Sequence, residues 1–238
     1  MEIIGGGDIN IAGTASKILK VGYSSDAFYI QEWAGVNPET GAPQWYTTAE
    51  NGSRVITDEY AKADRVICPP STPKLFGGFN TSLSWRNIDL SAVFGYSIGG
   101  KIYNYSRLEY DSDGAYTDRN QMKLMDGWNR WEKPGDIATH PVASMDNKSQ
   151  SNQASTRFLE DSDYLKLRSL TVGYNINLPQ YHIQNLRVFF SGENLFTVTG
   201  YSGVDPEIPA SDNSVIGSAG PSVYPSTRKY MFGLNLTF

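Results

Sequence analysis

The sequence predicts an all-β fold, a transmembrane antiparallel β-barrel with long extracellular loops. Three observations carry this. Near the C-terminus, Tyr230, Phe232, Leu234, Leu236 and Phe238 occupy every second position, with Met231, Gly233, Asn235 and Thr237 between them. Strand side chains alternate faces with a period of two, so one face is apolar. Two similarly regular segments, 79–85 and 88–96, are joined by Arg86-Asn87 alone, the spacing of a tight hairpin. The connections also alternate in length, long over 34–75, 98–163 and 199–226 and short over 86–87 and 177–185. Transmembrane barrels show this asymmetry, with tight turns at one end and extended loops at the other.

Composition agrees. The 238 residues include 23 Gly, 15 Tyr and 10 Phe, and abundant aromatics with glycine-rich turns favour strands over helices. The net charge of −5 without a basic cluster argues against nucleic acid as a partner. A single cysteine, Cys68, and two histidines allow no internal disulfide and fall short of a zinc set. No apolar run approaches the ~20 residues of a membrane-spanning helix, which leaves a barrel open because its alternating strands score as hydrophilic. The segment Met1-Glu-Ile-Ile-Gly-Gly-Gly7 has neither a charged nor an apolar region of signal-peptide type.

Taken in order, the first twenty residues carry little pattern beyond a strand beginning near Lys17. Phe28–Trp33 reads as a strand stopped by Gly35-Val-Asn-Pro-Glu-Thr-Gly41, whose proline and glycines form turns. Residues 42–75 read as a polar loop with a short strand over Gln44–Thr47, and Cys68-Pro-Pro-Ser-Thr-Pro-Lys74 is barred from a central strand because proline donates no backbone hydrogen bond. After the hairpin, 98–163 has little sustained pattern apart from a short helix expected near Asn120–Trp128. The alternation resumes at Tyr164 with Leu170, Val172, Tyr174 and Ile176 on one face, and again over Leu186–Val198. About six barrel strands result. Asn80, Ser82, Ser84, Ser169, Thr171, Asn175, Asn235 and Thr237 would line a watery lumen, and Trp85, Tyr96, Tyr174 and Tyr230 would sit in aromatic girdles.

Several stretches resemble the C-terminal region of SusC/RagA-family TonB-dependent outer-membrane receptors of Bacteroidetes-type bacteria. They are Glu32-Trp-Ala-Gly-Val-Asn-Pro-Glu-Thr-Gly41, Pro73-Lys-Leu-Phe-Gly-Gly-Phe79, Gly95-Tyr-Ser-Ile-Gly-Gly-Lys-Ile-Tyr-Asn104 and Asn129-Arg-Trp131. Further on come Asp163-Tyr-Leu-Lys-Leu-Arg-Ser-Leu-Thr-Val-Gly-Tyr174, Glu193–Glu207, and Tyr224-Pro with the strand to Phe238. The resemblance implies a 22-stranded barrel in the cell outer membrane that imports glycan fragments or peptides with TonB energy. It also implies a SusD-like surface lipoprotein as partner, and coupling to the TonB complex through an N-terminal part not present here. Residues 1–238 would then be one C-terminal barrel segment without signal peptide or plug, touching outer-membrane lipid, without enzymatic activity, cofactor or metal. The terminal stripe Tyr230, Phe232, Leu234, Leu236 and Phe238 would act as the barrel-assembly signal. A soluble secreted β-sandwich that binds carbohydrate through its loops is the alternative.

Candidate ligand contacts are Trp128 and Trp131 in Gly127-Trp-Asn-Arg-Trp131, because aromatic faces stack on sugar rings; loop packing accounts for the pair as well. Glu109-Tyr-Asp-Ser-Asp-Gly114 lacks the later acidic positions of a calcium loop and reads as a solvated acidic turn. The two Val-[Asn/Asp]-Pro-Glu words at 36–39 and 204–207 read as turns, with Asp205 and Glu207 the ligand alternatives. His140 and His182 accompany no nucleophile motif.

Overall fold

In the computed structural model, the described residues are 9–11, 16–145, 148–178, 183–207, 218–219 and 225–238. They form β1 (Ile9–Ile11), β2 (Lys17–Leu19), β3 (Ala27–Gln31), β4 (Trp33–Val36), β5 (Pro43–Thr48), β6 (Arg54–Thr57) and β7 (Arg65–Pro70). The long hairpin β8 (Leu75–Trp85) and β9 (Ile88–Ile98) follows, then β10 (Lys101–Asn104), helix α1 (Tyr105–Tyr110) and β11 (Leu159–Asp161). The chain continues through β12 (Tyr164–Leu178), β13 (Ile183–Thr199), β14 (Ser218–Ala219) and β15 (Lys229–Thr237). These elements divide into two compact units.

One unit is a single five-stranded sheet in the order β15-β13-β12-β9-β8, with every neighbouring pair antiparallel. Its strands follow one another up and down in chain order, as the alternating connections predicted. The β8–β9 turn is two residues long, and Arg86 carries the positive φ of 54° that such a turn requires. The short connection between β12 and β13 falls at 179–182, outside the described residues, as does His182.

The other unit is assembled from the chain before Pro73, Lys101–Asp161 and β14. It holds the sheets β1-β2-β3-β7, β11-β10-β14 and β4-β5-β6. Phe28, Ile30, Cys68, Tyr103 and Phe158 form its core, flanked by Val66, Tyr105, Leu108 and Leu159. Burial pushes the Cys68 thiol up to about 11, which makes it a poor nucleophile. Trp45 is wholly buried and meets Trp33 and Tyr60 edge-to-face at 5.6 and 5.4 Å. The sequence therefore contributes five strands to the large sheet rather than six. Phe28–Trp33 belongs to β3 and β4, because its partners are the short strands β7 and β5. Residues 42–75 hold the short strand expected over 44–47, as β5, but they also contain β6 and β7 and so are no polar loop. The prolines behave as expected, since Pro69 and Pro70 end β7 at a sheet edge.

The helix expected at 120–128 is not formed. Met122 N–H is bonded to the Tyr110 carbonyl and Gly127 has φ of +86°, so this backbone serves a loop. A helix starts instead where Asn104 caps it, its Oδ1 accepting from Arg107 N–H at 3.1 Å. That signal is a single asparagine.

Candidate functional site

In the five-stranded sheet the register gathers the alternation of each strand into rows. Trp85, Ile88, Tyr174, Val188 and Leu234 are successive cross-strand partners from β8 to β15, and Leu83, Leu90, Val172, Phe190 and Phe232 form the next row. Thr81, Ala92, Leu170, Gly192 and Tyr230 make a third. One face is thus apolar over its breadth. It is also uncovered: Leu83 is 63% exposed and Phe232 80%. In water such a face is untenable, because each large side chain left exposed forgoes about 1.5–3 kcal/mol of transfer free energy. A sandwich would bury it under a second sheet. From the Ile88 row to Tyr96, eight residues along β9, is about 27 Å of strand. Tilted by about 40°, that spans roughly 20 Å, comparable with the ~25 Å apolar band of a membrane barrel.

The opposite face carries the hydroxyls and amides. Ser82, Ser91, Thr171, Ser191 and Met231 form one row, Asn80, Val93, Ser169, Glu193 and Lys229 another, and Asn175 pairs with Arg187 and then Asn235. Asp89 and Arg187 meet across Gly173, with Arg187 Nη2 and Nε donating to the carboxylate at 2.5 and 3.1 Å and Asn175 Nδ2 at 3.0 Å. A Cβ on Gly173 would lie 2.6 Å from both partners. The glycine opens the lane for the ion pair.

Near the long-connection end of the sheet, Lys166 is almost fully buried although its strand position faces open. The segment that follows β13 covers it. Lys166 Nζ donates to Asp205 at 3.1 Å, Glu207 at 2.9 Å and the Ser226 hydroxyl at 3.3 Å, and Arg168 pairs with Glu207. Burial raises both carboxyl groups, but it is outweighed: the Glu207 N–H, Ser226 hydroxyl and Lys166 hold Asp205 below its ordinary value, and Lys166 and Arg168 do the same for Glu207. The Val-Asp-Pro-Glu word is therefore more than a turn. It ties a connection down to β12. The signal was present as two cations two residues apart, matched by two acids two residues apart.

In the other unit, the first copy of the word makes a turn. Asn37 Oδ1 accepts from Glu39 N–H at 2.9 Å, and Gly41 closes the turn at φ of +71°. Trp131 lies on that turn. Its Nε1 donates to the Pro38 carbonyl at 2.8 Å, and its ring occupies the space a Cβ on Gly41 would need. The Arg107 guanidinium lies over the Trp128 ring at 4.4 Å, and the His140 ring is tilted against it with centroids 4.9 Å apart. Both indoles are half-buried, each braced on a different partner.

The acidic stretch 109–114 is not a solvated turn. Asp111, Ser112 and Asp113 are buried. Asp111 Oδ2 accepts from Arg107 Nη2 at 3.0 Å and His140 Nε2 at 3.1 Å, and pairs with Arg157 at 3.5 Å. Asp113 takes Arg130 at 2.7 Å and Arg157 at 2.5 Å, and Arg107 reaches Glu160 at 2.9 Å. Three carboxylates meet three guanidiniums, which is what allows the charges to be buried. Burial alone would raise Asp111, but His140 and the arginines hold it below the usual carboxylate range. The arginines that make this core, scattered through 107–157, follow no period and were not singled out from sequence. Among the described residues no group of His, Cys, Asp and Glu is placed to hold a metal ion.

No protein-family model matches the chain. Over 94% of its length it is 29% identical to TonB-dependent receptor P3 of Formosa agariphila, of which it covers 23%. It is 23% identical over 92% of its length to TonB-dependent receptor SusC of Bacteroides thetaiotaomicron, covering 20% of that protein. Among solved structures it is similar to the RagAB peptide transporter, with a TM-score of 0.77 and 28% identity over 97% of this chain and 25% of that one. The same importer in its open-open state matches over 100% of this chain with a TM-score of 0.72 and 26% identity. The chain spans about a fifth to a quarter of the relatives it matches.

Proposed function

From a chain that matches the C-terminal part of SusC- and RagA-type TonB-dependent receptors, we propose that it supplies part of the wall of an outer-membrane importer for glycan fragments or peptides. The single observation that carries this reading is the five-stranded sheet with one exposed apolar face and one hydroxyl- and charge-bearing face. The apolar rows face lipid, the polar rows face the lumen, and the short turns and Phe238 lie at the periplasmic end. The relatives are receptors and a transporter, which supports a role for this segment in the wall rather than in catalysis. Its partners are a SusD-like lipoprotein on the outer side and the TonB complex, which engages another part of the same protein. Trp128 and Trp131 serve chiefly to brace the loop that carries them, and any sugar stacking uses only their half-exposed faces.

Cysteine labelling in the full-length receptor tests the orientation. With Cys68 replaced by serine, Leu170→Cys is expected to react with a lipid-soluble maleimide and Thr171→Cys with a water-soluble one, in intact outer membranes. Equal reaction of both positions with the water-soluble reagent would sink the barrel reading and restore a soluble sandwich.

A further inference from the structure

We propose that the pocket beside the unpaired end of β13 binds a carboxylate on a small ligand. β13 runs on to Thr199, but its pairing with β15 ends at Glu193 with Lys229, so Asn194–Thr199 has no strand on that side among the described residues. A cavity of about 350 Å³ fills the space, walled by Pro206 and Pro225 and lined by Asn194, Phe196, Thr197 and Arg228. That volume sits at the small end of ligand pockets.

Charge decides what it takes. All three ammonium hydrogens of Lys166 are used by Asp205, Glu207 and Ser226, and Arg168 is occupied by Glu207. Two cations and two carboxylates cancel. Arg228 then stands as one extra positive charge on the pocket wall, exposed and with no ion-pair or hydrogen-bond partner among the described residues. Its planar fork suits two oxygens of one carboxylate. A single uncompensated charge suits a monoanion, whereas a phosphate dianion would set a second negative charge near Asp205. The Thr197 hydroxyl, also without a partner among the described residues, is a further donor, and the Phe196 ring offers an apolar flank. The carboxylate can come from a peptide C-terminus or from a uronic acid.

This assignment rests on the importer reading, and calorimetry on the detergent-solubilised full-length receptor separates the two. The probes are galacturonic acid against its methyl ester, and trialanine against its C-terminal amide. At least one acid should bind while its neutral counterpart does not, and the acid that binds names the source. Arg228→Gln should weaken that binding about tenfold or more, with the heat-modifiable migration of a folded barrel unchanged. Equal binding of acid and neutral forms, no binding of any probe, or wild-type affinity in Arg228→Gln overturns the pocket. If the Leu170 and Thr171 labelling pattern holds on the same preparation, only the pocket has failed; if it does not, the importer reading has.

Discussion

Asp113 is wholly buried in the unit of short strands, with Arg130 and Arg157 on its two oxygens. Removing one member of a buried pair leaves the others desolvated and uncompensated, at about 3–5 kcal/mol. Asp113→Ala is therefore expected to lower the melting temperature of the full-length receptor markedly and to open the 107–157 region to protease. Glu59→Ala, which removes an exposed pair with Lys62, is expected to change stability by no more than about 0.5 kcal/mol. Comparable shifts from the two variants would show that the buried network contributes no more than a surface pair. Gly173 belongs to the same scale, since its hydrogen is the vacancy through which Asp89 reaches Arg187.

At the scale of elements, β15 is an edge strand whose apolar row is exposed and whose terminal Phe238 is 79% exposed. If that stripe is what the assembly machinery reads, Phe238→Glu in the full-length protein should reduce its outer-membrane level severalfold with synthesis unchanged, as scored by immunoblots of membrane fractions. Wild-type abundance would remove the terminal residue from that role. The long strands were legible from sequence because period two persisted over 79–85 in β8, 88–96 in β9, 169–176 in β12 and 230–238 in β15, and one buried or lipid-facing side is enough to impose it. The short strands β5, β6 and β7 were not, or only in part. Four to six residues hold too few repeats, and what makes them strands is burial, with Trp45 against Trp33 and Tyr60 and Cys68 in the core with Phe28 and Tyr103. The acidic turn was misread for a related reason: nothing local in Glu109–Gly114 says that Arg107, Arg130 and Arg157 converge on it.

For the whole molecule, acid is the common stress. Asp26 is held well below the carboxylate range by Ser24, Thr72 and Ser71, despite burial that pushes it up, and Asp111, Asp205 and Glu207 are also lowered. A group depressed in the fold adds stability above its unfolded value, near 3.9–4.3 for these acids, and loses it as pH falls toward the folded value. Stability should hold from neutrality to about pH 5 and decline below pH 4, which near-ultraviolet dichroism across an acid titration would record. A decline that already begins near pH 6 would overturn this account.

The unit built from the chain before Pro73, from Lys101–Asp161 and from β14 is interleaved with the sheet along the sequence. Its β10 pairs with β11, some sixty residues on, and with β14, more than a hundred residues on. A polypeptide threaded across a membrane from its amino end would deliver four of the five long strands before β14 arrives. The pairing of β10 with β14 is thus a late event, and four long strands are available to pair before it can form. Contacts this distant in sequence close slowly. The interleaving therefore sets an order of events during synthesis, in which most of the sheet can pair before the other unit can be completed.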